Sequence, residues 1–193
     1  MFHRSERLLL RPVWPEDWES VFSGIADEGV VRNLASAPWP YREEDARAFT
    51  QRPVDPLRPR FIIARADNAA LVGCIGIDTP PQAERVPARF VELGYWIARA
   101  HWGRGYASEA GRAVISLART LGHRGLVGSH FLDNPASGRV LKKLGFAPTG
   151  RVIERHSCAR GALTASVQHV LSFTGRELRE GTHGTGGEGQ FAA

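Results

Sequence analysis

A short glycine-rich segment, Gly103-Arg104-Gly105-Tyr106-Ala107-Ser108, lies where a predicted strand gives way to a predicted helix. The first backbone N–H groups of a helix have no partner inside the helix, and they carry the positive end of its dipole. Glycine lets the backbone approach an anion closely, and Arg104 adds a positive charge. The segment therefore predicts a cradle for a phosphate group, although a simple turn before a helix explains the glycines equally well.

Two common nucleotide-binding loops fit this segment less well. It lacks the third glycine of the dinucleotide fingerprint, no βαβ unit carries it, and no Gly-Lys is followed by Ser or Thr. The two cysteines, Cys74 and Cys158, and the histidines have no spacing typical of a zinc or redox site. We therefore expect an anion site without a metal.

The elements that position this segment are predicted from apolar periodicity and turn residues. Strands are expected at about 6–13, 60–66, 69–77, 89–98, 126–132, 146–154 and 163–173. Helices are expected at about 14–23, 43–51, 106–121 and 134–144. Since several strands precede the glycine segment, the order predicts a mixed α/β (α+β) fold on a largely antiparallel sheet, not a doubly wound one.

The bulk properties predict one soluble domain. A length of 193 residues suits a single core, which we place at 1–174, and the glycine-rich stretch 175–193 is expected to be a flexible tail. No apolar run could cross a bilayer and no signal peptide is recognisable, so we expect a cytoplasmic protein without a membrane partner. The formal charge of +5, from 25 basic and 20 acidic residues, suits an anionic small ligand as well as a nucleic acid.

Four motifs together resemble the GNAT superfamily of N-acetyltransferases, especially its RimJ/RimL-like branch, over about residues 5–173. They are Glu-Arg-Leu-Leu-Leu-Arg-Pro-Val at 6–13, Glu-Leu-Gly-Tyr-Trp-Ile at 92–97, the segment 102–110 and the segment 134–146. The resemblance implies a GNAT-like sheet of about seven strands, mostly antiparallel, splayed in the middle and flanked by about four helices. It also implies acetyl-CoA as co-substrate and makes a homodimer plausible.

The resemblance further implies how acetyl-CoA is held. The amides of the glycine segment would bind the pyrophosphate, and the exposed backbone of the preceding strand would pair with the pantetheine arm. The implied coenzyme-binding residues are Tyr95, Trp96, Ile97, Gly103, Arg104, Gly105, Tyr106, Ala107, Ser108, Asn134 and Ser137. Gly94 is expected to permit a bulge that opens the sheet, and the Trp96 N–H to polarise the thioester carbonyl. Trp102 departs from the family pattern, where glutamine or arginine is more common.

Two residues are catalytic candidates. By the resemblance, Glu92 is the first candidate for general base, although a pairing with a nearby arginine would also explain this carboxylate. Many family members protonate the leaving thiolate with a tyrosine, but Leu141 occupies the matching position here. Ser137 is expected to take that role, with helix capping as its alternative. Ser129 stands where some peptide N-terminal acetyltransferases have a glutamate.

The acceptor side is expected to include Trp39, Tyr41 and Glu92, while core packing explains the two aromatic residues equally well. The implied reaction moves an acetyl group from acetyl-CoA to a primary amine, either a protein N-terminus or a small-molecule amine, in one ternary complex. A non-catalytic acyl-CoA-binding module and, less favoured, a nucleic-acid-binding protein remain as alternatives.

Overall fold

One eight-stranded sheet organises the fold. The computed structural model describes residues 1–81 and 86–173, so the predicted tail at 175–193 lies outside the described residues. The strands are β1 (His3–Arg4), β2 (Leu8–Pro12), β3 (Arg60–Arg65), β4 (Leu71–Asp78), β5 (Phe90–Ile97), β6 (Gly125–Phe131), β7 (Ala147–Ser157) and β8 (Ala162–Ser172). Their order across the sheet is β1-β2-β3-β4-β5-β6-β8-β7. All neighbours are antiparallel except β5 and β6, which are parallel.

The expected strands all occur, but the sheet has eight strands rather than about seven. The additional strand is β1, which consists of two residues and pairs His3 with Leu10 of β2. A strand this short has no alternating apolar pattern, which is why the sequence did not reveal it.

Five α-helices flank the sheet, rather than about four. They are α1 (Trp18–Ile25), α2 (Glu28–Val31), α3 (Glu43–Thr50), α4 (Tyr106–Thr120) and α5 (Pro135–Lys143). The unexpected helix is α2, whose single turn is too short to show helical periodicity. Its start is fixed by Asp27, whose side chain accepts a hydrogen bond from the Val30 amide at 3.2 Å. Among the described residues, no helix has the length and apolar character needed to span a bilayer.

The two faces of the sheet carry separate cores. Helix α4 packs on one face through Ala110, Val114 and Ala118, against strand residues such as Leu93 and Leu126. The helices α1 to α3 cover part of the other face, where their apolar side chains meet Cys74 and Trp96. Because side chains alternate along a strand, odd-numbered residues of β5 face α4 and even-numbered ones face the α1–α3 side. We call these the α4 face and the α1 face.

The sheet is splayed between β5 and β6, the parallel neighbours among the described strands. β5 pairs with β6 only from Phe90–Gly125 to Glu92–Val127, although β5 continues to Ile97 and β6 to Phe131. The two strands therefore diverge, and we call the space between residues 94–97 and 129–131 the gap. The expected bulge at Gly94 is wrong, since β5 keeps an unbroken register with β4 through the Gly76–Gly94 pair. The gap comes from the early end of β5–β6 pairing.

Candidate active site

The glycine segment forms the tight turn into α4. Gly103 and Gly105 have φ angles of 75° and 79°, in the left-handed region that favours glycine, and Gly105 is the N-cap of α4. A Cβ atom at Gly103 would meet no atom within 4 Å, so the space in front of the turn is open. Within the described residues, the amides of 103–108 donate none of the loop or turn hydrogen bonds. The turn therefore offers amide donors and a helix dipole to an anion.

An ion pair with Arg7, the residue just before β2, fixes this turn. Glu109, in the first turn of α4, is only 7% exposed. Its Oε1 accepts from Ser5 Oγ at 2.7 Å and from the Arg7 amide at 2.9 Å, while Arg7 Nε donates to its Oε2 at 2.8 Å. Arg7 Nη1 also donates to the Arg104 carbonyl oxygen at 3.1 Å. Arg7 thus joins the loop to β2, and we call Ser5, Arg7 and Glu109 the loop clamp.

The loop clamp brings together residues about 100 positions apart, and the sequence analysis missed it. The arginine and the glutamate each lie inside a quoted motif, at 6–13 and 102–110, which was the available signal. Burial pushes the pKa of Glu109 upward, but the hydrogen bonds from Ser5 and Arg7 outweigh it, and the pKa lies below its ordinary value. Glu109 is therefore a charged structural group that holds the turn.

Trp102 closes the end of β5. Its indole Nε1 donates to the Ile97 carbonyl oxygen at 2.6 Å, and the Arg99 guanidinium lies 5.7 Å from the centre of the indole ring. The sequence singled out Trp102 as a departure from the family pattern without a reason. The structure supplies one, because the indole satisfies a strand-end carbonyl and ties the start of the glycine turn to β5.

The backbone of β5 presents alternate residues to the gap. The Ala98 amide donates to the Val72 carbonyl of β4 at 2.8 Å, so the pair Trp96–Cys74, two residues back, is also a hydrogen-bonded pair. The Trp96 amide consequently points to β4, and its expected role as a donor to a thioester in the gap is wrong. Tyr95 and Ile97 direct their backbone groups into the gap instead.

Tyr95 also sends its side chain across the gap to α5. Its hydroxyl lies 2.8 Å from Ser137 Oγ and 3.4 Å from the Ser137 carbonyl oxygen. Asn134 caps α5 by accepting from the Ser137 amide at 3.2 Å. Burial raises the pKa of Tyr95 to about 12. Leu141, one turn beyond Ser137, is 1% exposed and belongs to the core.

Glu92 lies on the α1 face at the start of the gap, in an ion pair. Arg155 of β7 donates from Nη1 to Oε1 at 2.5 Å and from Nη2 to Oε2 at 3.0 Å. The side chains are 16% and 14% exposed, so the pair is largely withdrawn from solvent. The arginine pairing that the sequence left open for Glu92 is therefore present. Such a bidentate pair fixes the carboxylate but leaves a lone pair on each oxygen.

Polar side chains continue on the α1 face beyond the gap. Ser129 of β6 is opposite Gln168 of β8, and Ser166 is opposite Phe131, so these residues share one face. Ser166 and Gln168 are 1% and 2% exposed. The hydroxyls of Ser129 and Ser166 are buried and have no hydrogen-bond partner among the described residues. We call Ser129, Ser166 and Gln168 the polar floor, which sequence analysis did not identify as a group.

Comparison with known proteins identifies the family. The model of the family described as "Acetyltransferase (GNAT) domain" matches residues 7–147 of this chain. The chain is also 31% identical over 150 residues to the Uncharacterized N-acetyltransferase YoaA of Bacillus subtilis, with 76% of this chain and 82% of the relative covered. The chain belongs to the GNAT acetyltransferase family. Membership supports an acetyl-CoA-dependent acetyltransferase.

Solved structures share the fold of this GNAT protein. A GNAT acetyltransferase from Bacillus anthracis has a TM-score of 0.74 at 22% identity, covering 89% of this chain and 98% of its own. The ribosomal-protein-S5-alanine acetyltransferase from Vibrio fischeri has a TM-score of 0.73 at 15% identity, covering 89% of this chain and 96% of its own. A spermidine N-acetyltransferase from Vibrio cholerae, solved with CoA and spermine, has a TM-score of 0.71 at 17% identity, covering 87% of this chain and 96% of its own.

The other predicted residues of this GNAT protein differ in burial. Tyr106 and Ser108 are buried in the first turn of α4, with the half-buried Ala107 between them, and Arg104 is exposed in the loop. Trp39 is 40% exposed, whereas Tyr41 is 8% exposed and packs in the α1-face core. Burial raises the pKa of Tyr41 to about 12, so its phenol is neutral. Among the described residues, no cluster of His, Cys, Asp or Glu could hold a metal ion.

Proposed function

We propose that this GNAT protein moves the acetyl group of acetyl-CoA directly to a primary amine, a protein N-terminus or a small-molecule amine, in one ternary complex. The observation that carries the proposal is the position of the left-handed glycine turn beside the gap between β5 and β6. The turn offers donors for a pyrophosphate, and the gap exposes strand backbone to an extended arm. We assign the activity to residues 1–174 of a cytoplasmic protein.

In this proposal the amides of 103–108 hold the pyrophosphate, and Arg104 adds charge. The pantetheine arm pairs with the gap-facing backbone of Tyr95 and with the Ile97 amide, since the Ile97 carbonyl already accepts from Trp102. Asn134 and Ser137 border the arm from the α5 side. Trp96 contributes its side chain to the α1-face core rather than an amide to the coenzyme.

The reaction needs no covalent enzyme intermediate. The amine nitrogen attacks the thioester carbon, the carbon–sulfur bond breaks, one proton leaves the nitrogen and one proton reaches the thiolate. Negative charge develops on the carbonyl oxygen during the attack, and a fixed amide donor stabilises it. We assign this donor to the Tyr95 amide, since the Trp96 amide is directed toward β4.

We keep Glu92 as the general base, acting directly or through a water molecule. An α-amine has a pKa of about 7.7–8.0, so only modest assistance is required near neutral pH. Arg155 fixes the carboxylate beside the gap while one lone pair on each oxygen stays available. Ser137 is assigned to the leaving thiolate, because its hydroxyl lies on the opposite side of the gap.

The acceptor is narrowed by the charges around the α1 face. Glu92 pairs with Arg155, Asp133 with Arg32 and Arg160, and Asp27 with Arg99. A polyamine carries several positive charges and favours unpaired carboxylates, so these three pairs favour an acceptor with a single amine, whereas Asp78, opposite Glu92 on β4, is exposed. Trp39 and Tyr41 would border this acceptor. The RimJ/RimL-like assignment agrees with this preference, since the Vibrio fischeri neighbour is named for a ribosomal-protein alanine.

Thermal unfolding and thiol release test the proposal together. Acetyl-CoA at a hundred times its Kd should stabilise the protein by about 2.7 kcal/mol, and at least one amine among peptide N-termini, amino acids and polyamines should release free thiol. An unchanged melting temperature with acetyl-CoA overturns the proposal. Stabilisation without thiol release from any amine supports a non-catalytic acyl-CoA-binding module. Salt-sensitive binding of DNA or RNA would support a nucleic-acid-binding protein.

Two glycines provide a matched test of the coenzyme loop. Gly103 and Gly150 both have a φ of 75°, and a Cβ atom at either would meet no atom within 4 Å. Alanine at either position therefore introduces the same backbone strain, roughly 1–2 kcal/mol. Gly103→Ala should also weaken acetyl-CoA binding about tenfold by turning an amide away from the anion, whereas Gly150→Ala should not. Equal Kd values in a calorimetric titration would remove the loop from the site.

Glu92→Gln tests the base separately from the transferase assignment. We expect kcat to fall about a hundredfold at neutral pH, with little change in the KM for acetyl-CoA. Glu154→Gln, an exposed carboxylate on β7, is the control and should leave kcat unchanged. Rates that match the wild type at every pH would exclude Glu92 as the base and leave the transferase assignment intact.

A further inference from the structure

We propose that the phenol of Tyr95 is a positioning residue that orients the Ser137 hydroxyl toward the thiolate leaving group. This inference rests on the proposed acetyl transfer, and it adds a residue whose side chain had no assigned role. The observation behind it is the side-chain contact across the gap, where the Tyr95 hydroxyl of β5 reaches the Ser137 hydroxyl and carbonyl oxygen of α5.

The hydrogen bond between the Tyr95 and Ser137 hydroxyls determines the direction of the serine O–H. The phenol oxygen lies 2.8 Å from Ser137 Oγ and 3.4 Å from the Ser137 carbonyl oxygen. When the phenol donates to Oγ, the Ser137 hydrogen is left for another acceptor. When Ser137 donates to the phenol, that hydrogen is withdrawn from the gap, and the phenol retains only the longer contact to the carbonyl. At 2.8 Å either oxygen can be the donor. The proposed role requires the arrangement in which the phenol donates, since this leaves the serine hydrogen for the thiolate.

The backbone of Ser137 is fixed independently of Tyr95. Asn134 accepts from the Ser137 amide at 3.2 Å, and Gly138, the next residue, packs closely against His130 of β6. The side-chain torsions of Ser137 are then left to be set, and a hydroxyl rotates freely without a partner. A donated bond from Tyr95 also polarises the serine O–H, which strengthens the bond that it gives to a thiolate.

The raised pKa of Tyr95 disfavours this phenol as the acid. Burial raises the pKa of Tyr95 to about 12, while the bond to Ser137 lowers it by a smaller amount. A simple thiol has a pKa of about 8.5, so proton transfer from the phenol to a thiolate is unfavourable. The phenol therefore keeps its proton and remains a hydrogen-bond donor across the neutral pH range. Ser137 touches the thiolate through a hydrogen bond, and the thiolate takes its proton from the amine or from water.

A double-mutant cycle tests this arrangement. Tyr95→Phe removes only the hydroxyl, and we expect kcat to fall about tenfold with the KM for acetyl-CoA within a factor of two. Ser137→Ala should lower kcat by at least as much. In the Ser137→Ala background, Tyr95→Phe should have no further effect, because Tyr95 acts only through the serine. Thr149→Val is the control, since it removes a half-buried hydroxyl that donates to the Gln168 carbonyl at 3.1 Å, and it should leave kcat unchanged.

Each other result overturns the inference. If the two substitutions lower kcat by factors that multiply in the double variant, Tyr95 acts independently of Ser137. If Tyr95→Phe raises the KM for acetyl-CoA without changing kcat, the phenol contributes to coenzyme binding and not to the chemical step. If Tyr95→Phe fails to fold, Ser137→Ala must still lower kcat with an unchanged melting temperature, and a normal kcat there rejects the role of the pair. A wild-type protein that releases no thiol with any amine rejects the proposed function instead, which keeps the two failures distinct.

Discussion

The two ends of the site differ in how completely their polar groups are satisfied. At the coenzyme end, the buried carboxylate of Glu109 accepts bonds from Ser5 and from three nitrogens of Arg7, and Trp102 satisfies the end of β5. On the polar floor, the hydroxyls of Ser129 and Ser166 are buried without partners among the described residues. Buried polar groups are normally paired, and exceptions concentrate where function requires them. The glycine turn is thus held by hydrogen bonds within the protein, whereas two hydroxyls of the floor have no such bond among the described residues.

The largest effect on stability should come from breaking the ion pair of Glu92 with Arg155. Arg155→Ala leaves Glu92 largely buried and without its guanidinium, and we expect the free energy of unfolding to fall by about 2–3 kcal/mol, measured in urea. Replacing both residues, with Glu92→Leu and Arg155→Met, should recover most of that loss. Arg58→Ala is the control, because its pair with Asp55 is about 40% exposed and should be worth less than 1 kcal/mol. A loss no larger than this control would mean that the pair is solvated like a surface pair.

The loop clamp should give the next largest effect. Glu109→Gln keeps the shape but places an amide against the guanidinium of Arg7, so we expect a loss of about 2 kcal/mol in stability. The KM for acetyl-CoA should rise severalfold because the glycine turn is no longer tied to β2. Glu43→Gln, in an exposed pair with Arg47, is the control and should change neither quantity. A stable variant with an unchanged KM would show that the turn holds itself.

The same carboxylate predicts a pH dependence. The pKa of Glu109 is lower in the folded protein than its ordinary value of about 4.3. Its contribution to stability is therefore complete above that ordinary pKa and is lost as the pH falls through the lower, folded-state pKa. The difference in free energy of unfolding between the wild type and Glu109→Gln should shrink across this acid range. A constant difference between pH 7 and the acid limit would contradict the linkage.

Trp102→Phe should have a smaller effect at the same end. The substitution keeps an aromatic ring and removes the N–H that donates to the Ile97 carbonyl oxygen, which costs about 1 kcal/mol. We expect the KM for acetyl-CoA to rise two- to threefold, measured by thiol release. Trp14→Phe, a similarly exposed tryptophan beside Arg11, is the stability control. An unaltered KM would mean that Arg7 alone positions the loop.

The sequence predicted the glycine turn into α4 but not the polar floor, for physical reasons. The glycine turn is local, because left-handed residues and a helix start are encoded within six positions. The floor depends on which strands of β6, β7 and β8 become neighbours, and β8 lies between the other two. Arg155, Ser166 and Gln168 carry no local signal of their own. The direction of the Trp96 amide depended on hydrogen-bond register with β4, which side-chain patterning does not specify.

The residues of the loop clamp were partly predictable from the sequence. Arg7 and Glu109 were both inside recognised motifs, but their contact depends on β2 lying near the start of α4. Short elements were also missed, since β1 and α2 are too short to have a period. Sequence patterns therefore reached the parts of the site that a single segment builds, and not those that need two or more segments to meet.

The smallest stability effect, and the one that separates the two ends most clearly, is expected for Ser166→Ala. A buried hydroxyl without a partner contributes nothing to folding and costs its desolvation, so its removal should leave stability unchanged or raise it by up to about 1 kcal/mol. Ser157→Ala is the matched control, because that serine is equally buried, lies on the neighbouring strand and donates to the Leu34 carbonyl at 3.3 Å. It should lose about 1 kcal/mol. If the floor serves the acceptor, kcat/KM for the amine should fall in Ser166→Ala while the KM for acetyl-CoA stays constant. A destabilised Ser166→Ala would show instead that the hydroxyl has a partner in solution and that the floor is a structural element like the loop clamp.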